Sequence, residues 1–197
     1  MKTLGSTQSS DRMRRGSAHL VRRLIRALDR RKHVRGRVSD AGRTAGREQP
    51  QVLLVCSPGG HLQQLLALAP AWDRLDHAWV TLPGSDVEDL LADEHPLLAY
   101  GPTNRSLRNL IRNLPFAWRT IRRLDPDVIL STGAGVAVPF FLVGKLLHRR
   151  LVYVESFTRT QSVSLSGRLV YPLADEFFVQ WPQAANRRRM RYAGRVL

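Results

Sequence analysis

The sequence predicts an α/β domain, a Rossmann-like parallel sheet of about six strands with helices on both faces. Three observations carry this. From Gln51 onward, short apolar runs alternate with helical patterns, as strands buried on both faces do with their crossover helices. Glycine turns follow the first and fourth of these runs, at Ser57-Pro58-Gly59-Gly60 and Ser131-Thr132-Gly133-Ala134-Gly135. Residues 51–197 suffice for one such domain, and 43% of the chain is apolar, which is normal for a buried core.

Taken in order, residues 1–50 read as a disordered basic tail. They hold 14 Lys and Arg against 4 Asp and Glu, so most of the net charge of +15 lies there. Residues 1–17 have too few apolar side chains to bury. Within 18–31, Leu20, Val21, Leu24, Ile25 and Leu28 recur at helical spacing opposite Arg22, Arg23, Arg26 and Arg30. Such a basic amphipathic helix suits an anionic lipid interface, and a solvated tail is the alternative. Residues 33–50 read as a linker.

The expected strands are 52–57, 78–82, 97–100, 128–132, 151–155 and 177–181. The expected helices are 61–75, 87–92, 107–124, 136–147 and 164–173. Pro115 is expected to kink or split the long helix, because it lacks an N–H and its ring meets the preceding turn. The basic face of that helix, with Phe116 and Trp118 interleaved, offers either ordinary packing or a membrane-facing patch. The one cysteine, Cys56, excludes an internal disulfide, and no metal-ligand spacing is present. A chain of this kind suits a reducing cytosol. No run reaches the ~20 apolar residues of a spanning helix.

Three loops fall at the C-terminal ends of expected strands, where open α/β sheets place their ligands. Ser57, Gly59, Gly60 and His61 make up the first, and Thr132, Gly133 and Gly135 the second. The third carries Glu155, Ser156, Thr158 and Arg159. Together they bring two backbone anion sites, a histidine, a carboxylate and a cation to one edge. A neutral histidine beside a glycine turn can contact a phosphate or accept a proton. Singly, each glycine could serve only its turn, His61 only a helix start, and Glu155 only an ion pair with Arg159. The first turn lacks Gly-x-Gly-x-x-Gly and no acidic residue closes the second strand, which disfavours a dinucleotide oxidoreductase. There is no Gly-Lys-Ser/Thr loop, and the surplus charge lies mostly outside the domain, which disfavours a nucleic-acid module.

Four stretches, Ser57 to Leu65, Ser131 to Pro139, Tyr153 to Arg159 and Tyr171 to Pro182, together resemble a known family. It is the membrane-associated, acceptor-side subunit of the two-subunit UDP-N-acetylglucosamine transferase of the dolichol pathway, with its bacterial exopolysaccharide and capsule counterparts. The resemblance runs from about Val52 to Leu197 and extends more faintly to the lipid-linked peptidoglycan glucosaminyltransferase. It implies the N-terminal half of a GT-B glycosyltransferase, inactive without a partner chain that binds the UDP-sugar. It implies that Gly59, Gly60 and His61 with Gly133 and Gly135 cradle the diphosphate of a polyprenyl-linked acceptor, and that Glu155 and His61 orient or deprotonate its hydroxyl. The ending Tyr192, Gly194, Val196 and Leu197 resembles the family's partner-docking tail. No cofactor is implied, and the expected place is peripheral, on the cytoplasmic face of a bacterial plasma membrane. A non-catalytic membrane scaffold and a nucleic-acid-binding tail are the alternatives.

Overall fold

The computed structural model describes residues 18–29, 51–103 and 106–196. Seven strands form one sheet: β1 (Val52–Val55), β2 (His77–Thr81), β3 (Leu97–Leu98), β4 (Val128–Ser131), β5 (Arg150–Val154), β6 (Glu176–Val179) and β7 (Met190–Tyr192). Their order is β3-β2-β1-β4-β5-β6-β7, with every pairing parallel. β1 runs uninterruptedly buried because both sheet faces are covered. Leu53 and Val55 join one apolar layer and Val52 and Leu54 the other, as the two-residue period of a strand requires.

The first layer is covered by α4 (Leu107–Leu124), α5 (Ala137–Leu146) and α6 (Leu165–Val170). In α5, a Cβ on Gly144 would lie 2.7 Å from Ile129 Cδ1 and 2.8 Å from Leu151 Cδ2, so glycine lets that helix lie close against the sheet. α4 begins at Ser106, whose side chain accepts from the Asn109 amide at 3.3 Å. It runs unbroken through Pro115, contrary to the expected split. Pro115 sits on the exposed side of the helix, where water can satisfy the carbonyl its missing N–H leaves free. Asn113, fully buried, exchanges two 2.9 Å hydrogen bonds with the backbone of Tyr100 and so ties α4 to the end of β3.

The second layer holds α1 (residues 18–29), α2 (Gly60–Ala67) and α3 (Ser85–Leu90). The expected helix near 18–31 is present, but its apolar face is not turned to a lipid surface. Leu20, Leu24, Ala27 and Leu28 are buried together with Leu62, Leu65 and Trp72. Burying these side chains against the sheet removes their apolar surface from water and ties α1 to the domain. Its arginines Arg22, Arg23 and Arg26 stay exposed. The expected disorder at 1–17 and the linker at 33–50 fall outside the described residues.

Strand β7 was not expected. Only Met190 of its three residues is buried, and Arg191 reaches Glu176 Oε2 at 2.8 Å, so it is a short charged edge strand without an apolar run. α2 is also shorter than expected, giving way at Leu68 to a 3₁₀ turn over Ala69–Ala71 that contains Pro70.

Two outcomes follow from this packing. L24A should lower the unfolding free energy by about 2–5 kcal/mol in urea titrations, whereas R23A on the exposed face should change it by less than about 0.5 kcal/mol. Burial pushes the Cys56 thiol up to about 12, so native protein at pH 8 should resist iodoacetamide and react only once unfolded, as followed by mass spectrometry.

Candidate active-site crevice

The strand order reverses direction between β1 and β4, and the loops leaving these neighbours diverge to opposite layers. A crevice opens at such a switch point because no connection crosses it. Two reciprocal hydrogen bonds span it. His61 Nδ1 lies 2.8 Å from the Thr132 carbonyl, and Thr132 Oγ1 donates to the His61 carbonyl at 2.7 Å. A carbonyl only accepts, so Nδ1 carries the proton and Nε2 is left with its lone pair. Among the described residues Nε2 has no hydrogen-bond partner. Burial lowers the His61 pKa from its ordinary 6.5; the Thr132 carbonyl and the Glu155 carboxylate oppose this, and the charge of Arg159 adds a smaller push downward. The imidazole is therefore neutral at pH 7, with one basic nitrogen available.

Gly133 makes room for this ring. It has φ +119°, and a Cβ there would stand 2.9 Å from His61 Cε1 and 3.0 Å from Tyr153 Oη. At Gly135 a Cβ would stand 2.7 Å from the Thr103 carbonyl, so the second glycine admits the loop after β3. These glycines serve close approach, and the free donors lie beside them. The Gly59 amide is held by Asp86 Oδ2 at 2.6 Å, and the Gly133 amide by Ser131 Oγ at 3.0 Å. The amides of Gly60, His61, Ala134 and Gly135 have no hydrogen-bond partner among the described residues. Any anion in the crevice would thus meet the residues after Gly59 and Gly133 rather than those two amides.

Glu155 is drawn inward and is 1% exposed. Its Oε1 accepts from the Ser156 amide at 2.8 Å, and its Oε2 from the Ser164 amide at 2.9 Å and the Ser164 hydroxyl at 3.1 Å. Ser164 in turn caps α6 by accepting from the Gly167 amide at 3.0 Å. A Cβ at Gly167 would lie 2.2 Å from Glu155 Oε2, so the carboxylate fills the space that glycine leaves. A carboxylate so enclosed holds the loop between β5 and α6. That loop presents Thr158 and Arg159, both exposed, while the buried Ser156 hydroxyl lies 2.9 Å from Thr158 Oγ1. Ser57 borders the mouth, half-buried.

Two buried side chains that sequence reasoning passed over complete the crevice wall. Gln64 Oε1 accepts from the Phe157 amide and from Gln180 Nε2, both at 2.8 Å. Each carried a signal: Gln64 interrupts the apolar stripe of Leu62 and Leu65, and Gln180 extends the buried run Phe177-Phe178-Val179. Of the expected docking tail, Tyr192 is exposed, Gly194 and Val196 are buried against the chain's own domain, and Leu197 lies outside the described residues. Among the described residues no group of three or more His, Cys, Asp or Glu could hold a metal ion, and no helix is long and apolar enough to cross a membrane.

Comparison with known proteins gives this geometry its relatives. Residues 101–196 match the family model described as oligosaccharide biosynthesis protein Alg14 like. The UDP-N-acetylglucosamine transferase subunit ALG14 of Eremothecium gossypii is 32% identical over 190 residues, covering 79% of this chain and 85% of the relative. The corresponding Schizosaccharomyces pombe subunit is 32% identical over 176 residues, covering 75% and 84%. Both are fungal proteins, and neither supports the bacterial setting expected from the sequence. Among solved structures, Acinetobacter baumannii MurG superposes with a TM-score of 0.58 at 17% identity, over 72% of this chain and 45% of that one. The chain thus spans under half of that structure and shares its fold over that part. The chain belongs to the Alg14-like family of oligosaccharide biosynthesis proteins.

Proposed function

We propose that this chain is the acceptor-side subunit of an inverting, UDP-sugar-dependent glycosyltransferase. The donor sugar is UDP-N-acetylglucosamine, and its binding half is a separate partner chain. The naming of the fungal relatives as transferase subunits supports the partner. The observation that carries the chemistry is the Nε2 of a neutral His61, without a hydrogen-bond partner among the described residues, beside amides likewise unpartnered among those residues at the switch point.

In this reading a polyprenyl-diphosphate-linked acceptor lies in the crevice. Its diphosphate faces the amides of Gly60, Ala134 and Gly135, with Ser57, Thr158 and Arg159 at the rim. The acceptor hydroxyl attacks the anomeric carbon of the UDP-sugar while His61 Nε2 takes its proton. The bond to UDP breaks on the opposite face, and donors on the partner neutralise the departing diphosphate. Thr132 fixes the tautomer, Gly133 admits the ring, and Gly59 and Asp86 shape the turn before it. Glu155 keeps the loop in place, so its part is structural where the family resemblance implied a base. Alone, the chain leaves the crevice open to water, and transfer requires the partner. Docking of that partner falls to exposed Tyr192 and to the end of the chain at Leu197.

The membrane face in this reading is the outer side of the α4–α6 layer. Leu107, Ile111 and Trp118 on α4 and Leu165 and Leu169 on α6 are exposed, interleaved with Arg108, Arg112, Arg119 and Arg168. Phe116, expected there from sequence, turns inward onto Phe140 at 6.0 Å between ring centroids. Exposed apolar and aromatic side chains among arginines fit a surface of anionic lipid.

Two experiments test this. With the partner co-expressed, H61A should lower the turnover of UDP-N-acetylglucosamine onto a polyprenyl-diphosphate acceptor by ~10²–10⁴. The acid limb of the wild-type rate should lie below pH 6.5, because the depressed pKa keeps Nε2 unprotonated to lower pH than an ordinary histidine. Near-normal transfer by H61A would leave only a scaffold. For the membrane face, R112E/R119E should lower the affinity for vesicles containing phosphatidylserine, read by flotation, by at least roughly thirtyfold, since each of the two basic residues near such a surface contributes about 1 kcal/mol.

A further inference from the structure

Four separate segments of the crevice wall meet on Gln64 and Gln180, which are 3% and 1% exposed. An amide side chain has a donor end and an acceptor end, and here the contacts fix both orientations. Gln180 Nε2 uses its two hydrogens on Gln64 Oε1 at 2.8 Å and on the Glu155 carbonyl at 3.0 Å. Gln180 Oε1 accepts from the Val196 amide at 2.8 Å. Gln64 Oε1 fills both lone pairs with Gln180 Nε2 and the Phe157 amide, and Gln64 Nε2 donates to the Gly60 carbonyl at 2.9 Å. Gly60 is the residue before His61.

A second route leaves the same C-terminal segment. The Arg195 guanidinium lies 3.8 Å from the centre of the Trp181 ring. Trp181 Nε1 donates to the Phe157 carbonyl at 2.7 Å, and the two rings lie 5.4 Å apart. Both routes therefore converge on the backbone of Phe157, one at its N–H and the other at its C=O. Buried polar networks of this kind are held or lost together, because a single unsatisfied member in a low-dielectric interior is costly.

We propose that Arg195 and Val196 form a strap that positions the crevice. Through Gln180 and Gln64 it sets the start of the loop carrying Thr158 and Arg159, and the first turn of α2 carrying His61. Gln180 is a positioning residue that acts on the reaction through its neighbours. Whatever engages the end of the chain is thereby coupled to the crevice geometry, and a displaced strap loosens Phe157 first. The catalytic consequence rests on the reading of His61 as base, whereas the mechanical coupling does not.

Amide hydrogen exchange on the full chain tests the coupling, with the Leu147 amide, bonded to the Val143 carbonyl on another helix, as the control for overall stability. V196P removes one N–H at nearly constant apolar volume, R195A removes the cation, and Q180L removes the hub. V196P and Q180L should raise exchange at Phe157 about tenfold, and R195A about threefold, with Leu147 unchanged. If Q180L fails to fold, V196P and R195A at the chain end still decide the matter. Exchange at Phe157 that rises no more than at Leu147 in V196P and R195A overturns the strap, whichever way the H61A assay falls. In the assembled transferase, V196P should lower kcat roughly tenfold with the KM for UDP-N-acetylglucosamine unchanged. An unchanged kcat despite faster exchange at Phe157 overturns the positioning role.

Discussion

The crevice depends on the pair of hydrogen bonds that joins His61 and Thr132 across the β1–β4 switch point. Parallel strands put both loops at one edge, but pairing alone leaves them free to splay apart. Side chain to backbone bonds in both directions lock the ends together and settle the tautomer of His61 in the same act. That lock favours Gly133, since a Cβ there would stand 2.9 Å from His61 Cε1, closer than ordinary van der Waals contact. Local backbone choice, loop closure and the chemistry of Nε2 are thus one constraint seen at three scales.

Around this pair the molecule uses buried polar groups mainly to hold loops. Glu155 binds the backbone on both sides of its loop. Gln64 and Gln180 bind the next segments inward. Each of these groups is nearly free of solvent, and each finds partners within the chain, as burial demands. His61 differs because one nitrogen is held and the other is open. The contrast between fully satisfied neighbours and one unsatisfied base singles it out from the other polar residues of the wall.

Much of this was legible in the sequence. The apolar runs and glycine turns located the first six strands, since fully buried parallel strands leave few other patterns. The edge strand β7 was not legible, being short and charged with Arg191 at its centre. Pro115 misled because its effect depends on which side of α4 faces water. The stripe of Leu20, Leu24 and Leu28 marked a helix correctly but not its partner, as an amphipathic face fits a sheet and a lipid surface equally well. Glu155 shows the same limit more sharply: a strand-end carboxylate does not reveal in the sequence the three donors that surround it. The glycines were found by pattern, whereas the occupation of the Gly59 amide by Asp86, 27 residues away, is shown by no local motif.

The central claim concerns the protonation of one ring, and ¹⁵N nuclear magnetic resonance of histidine-labelled full-length protein reads it directly. His61 should show the neutral Nδ1–H tautomer at pH 7, with a basic Nε2, and should take up a proton only below the ordinary pKa of 6.5. An Nε2–H tautomer, or a ring already protonated at pH 7, would contradict the account.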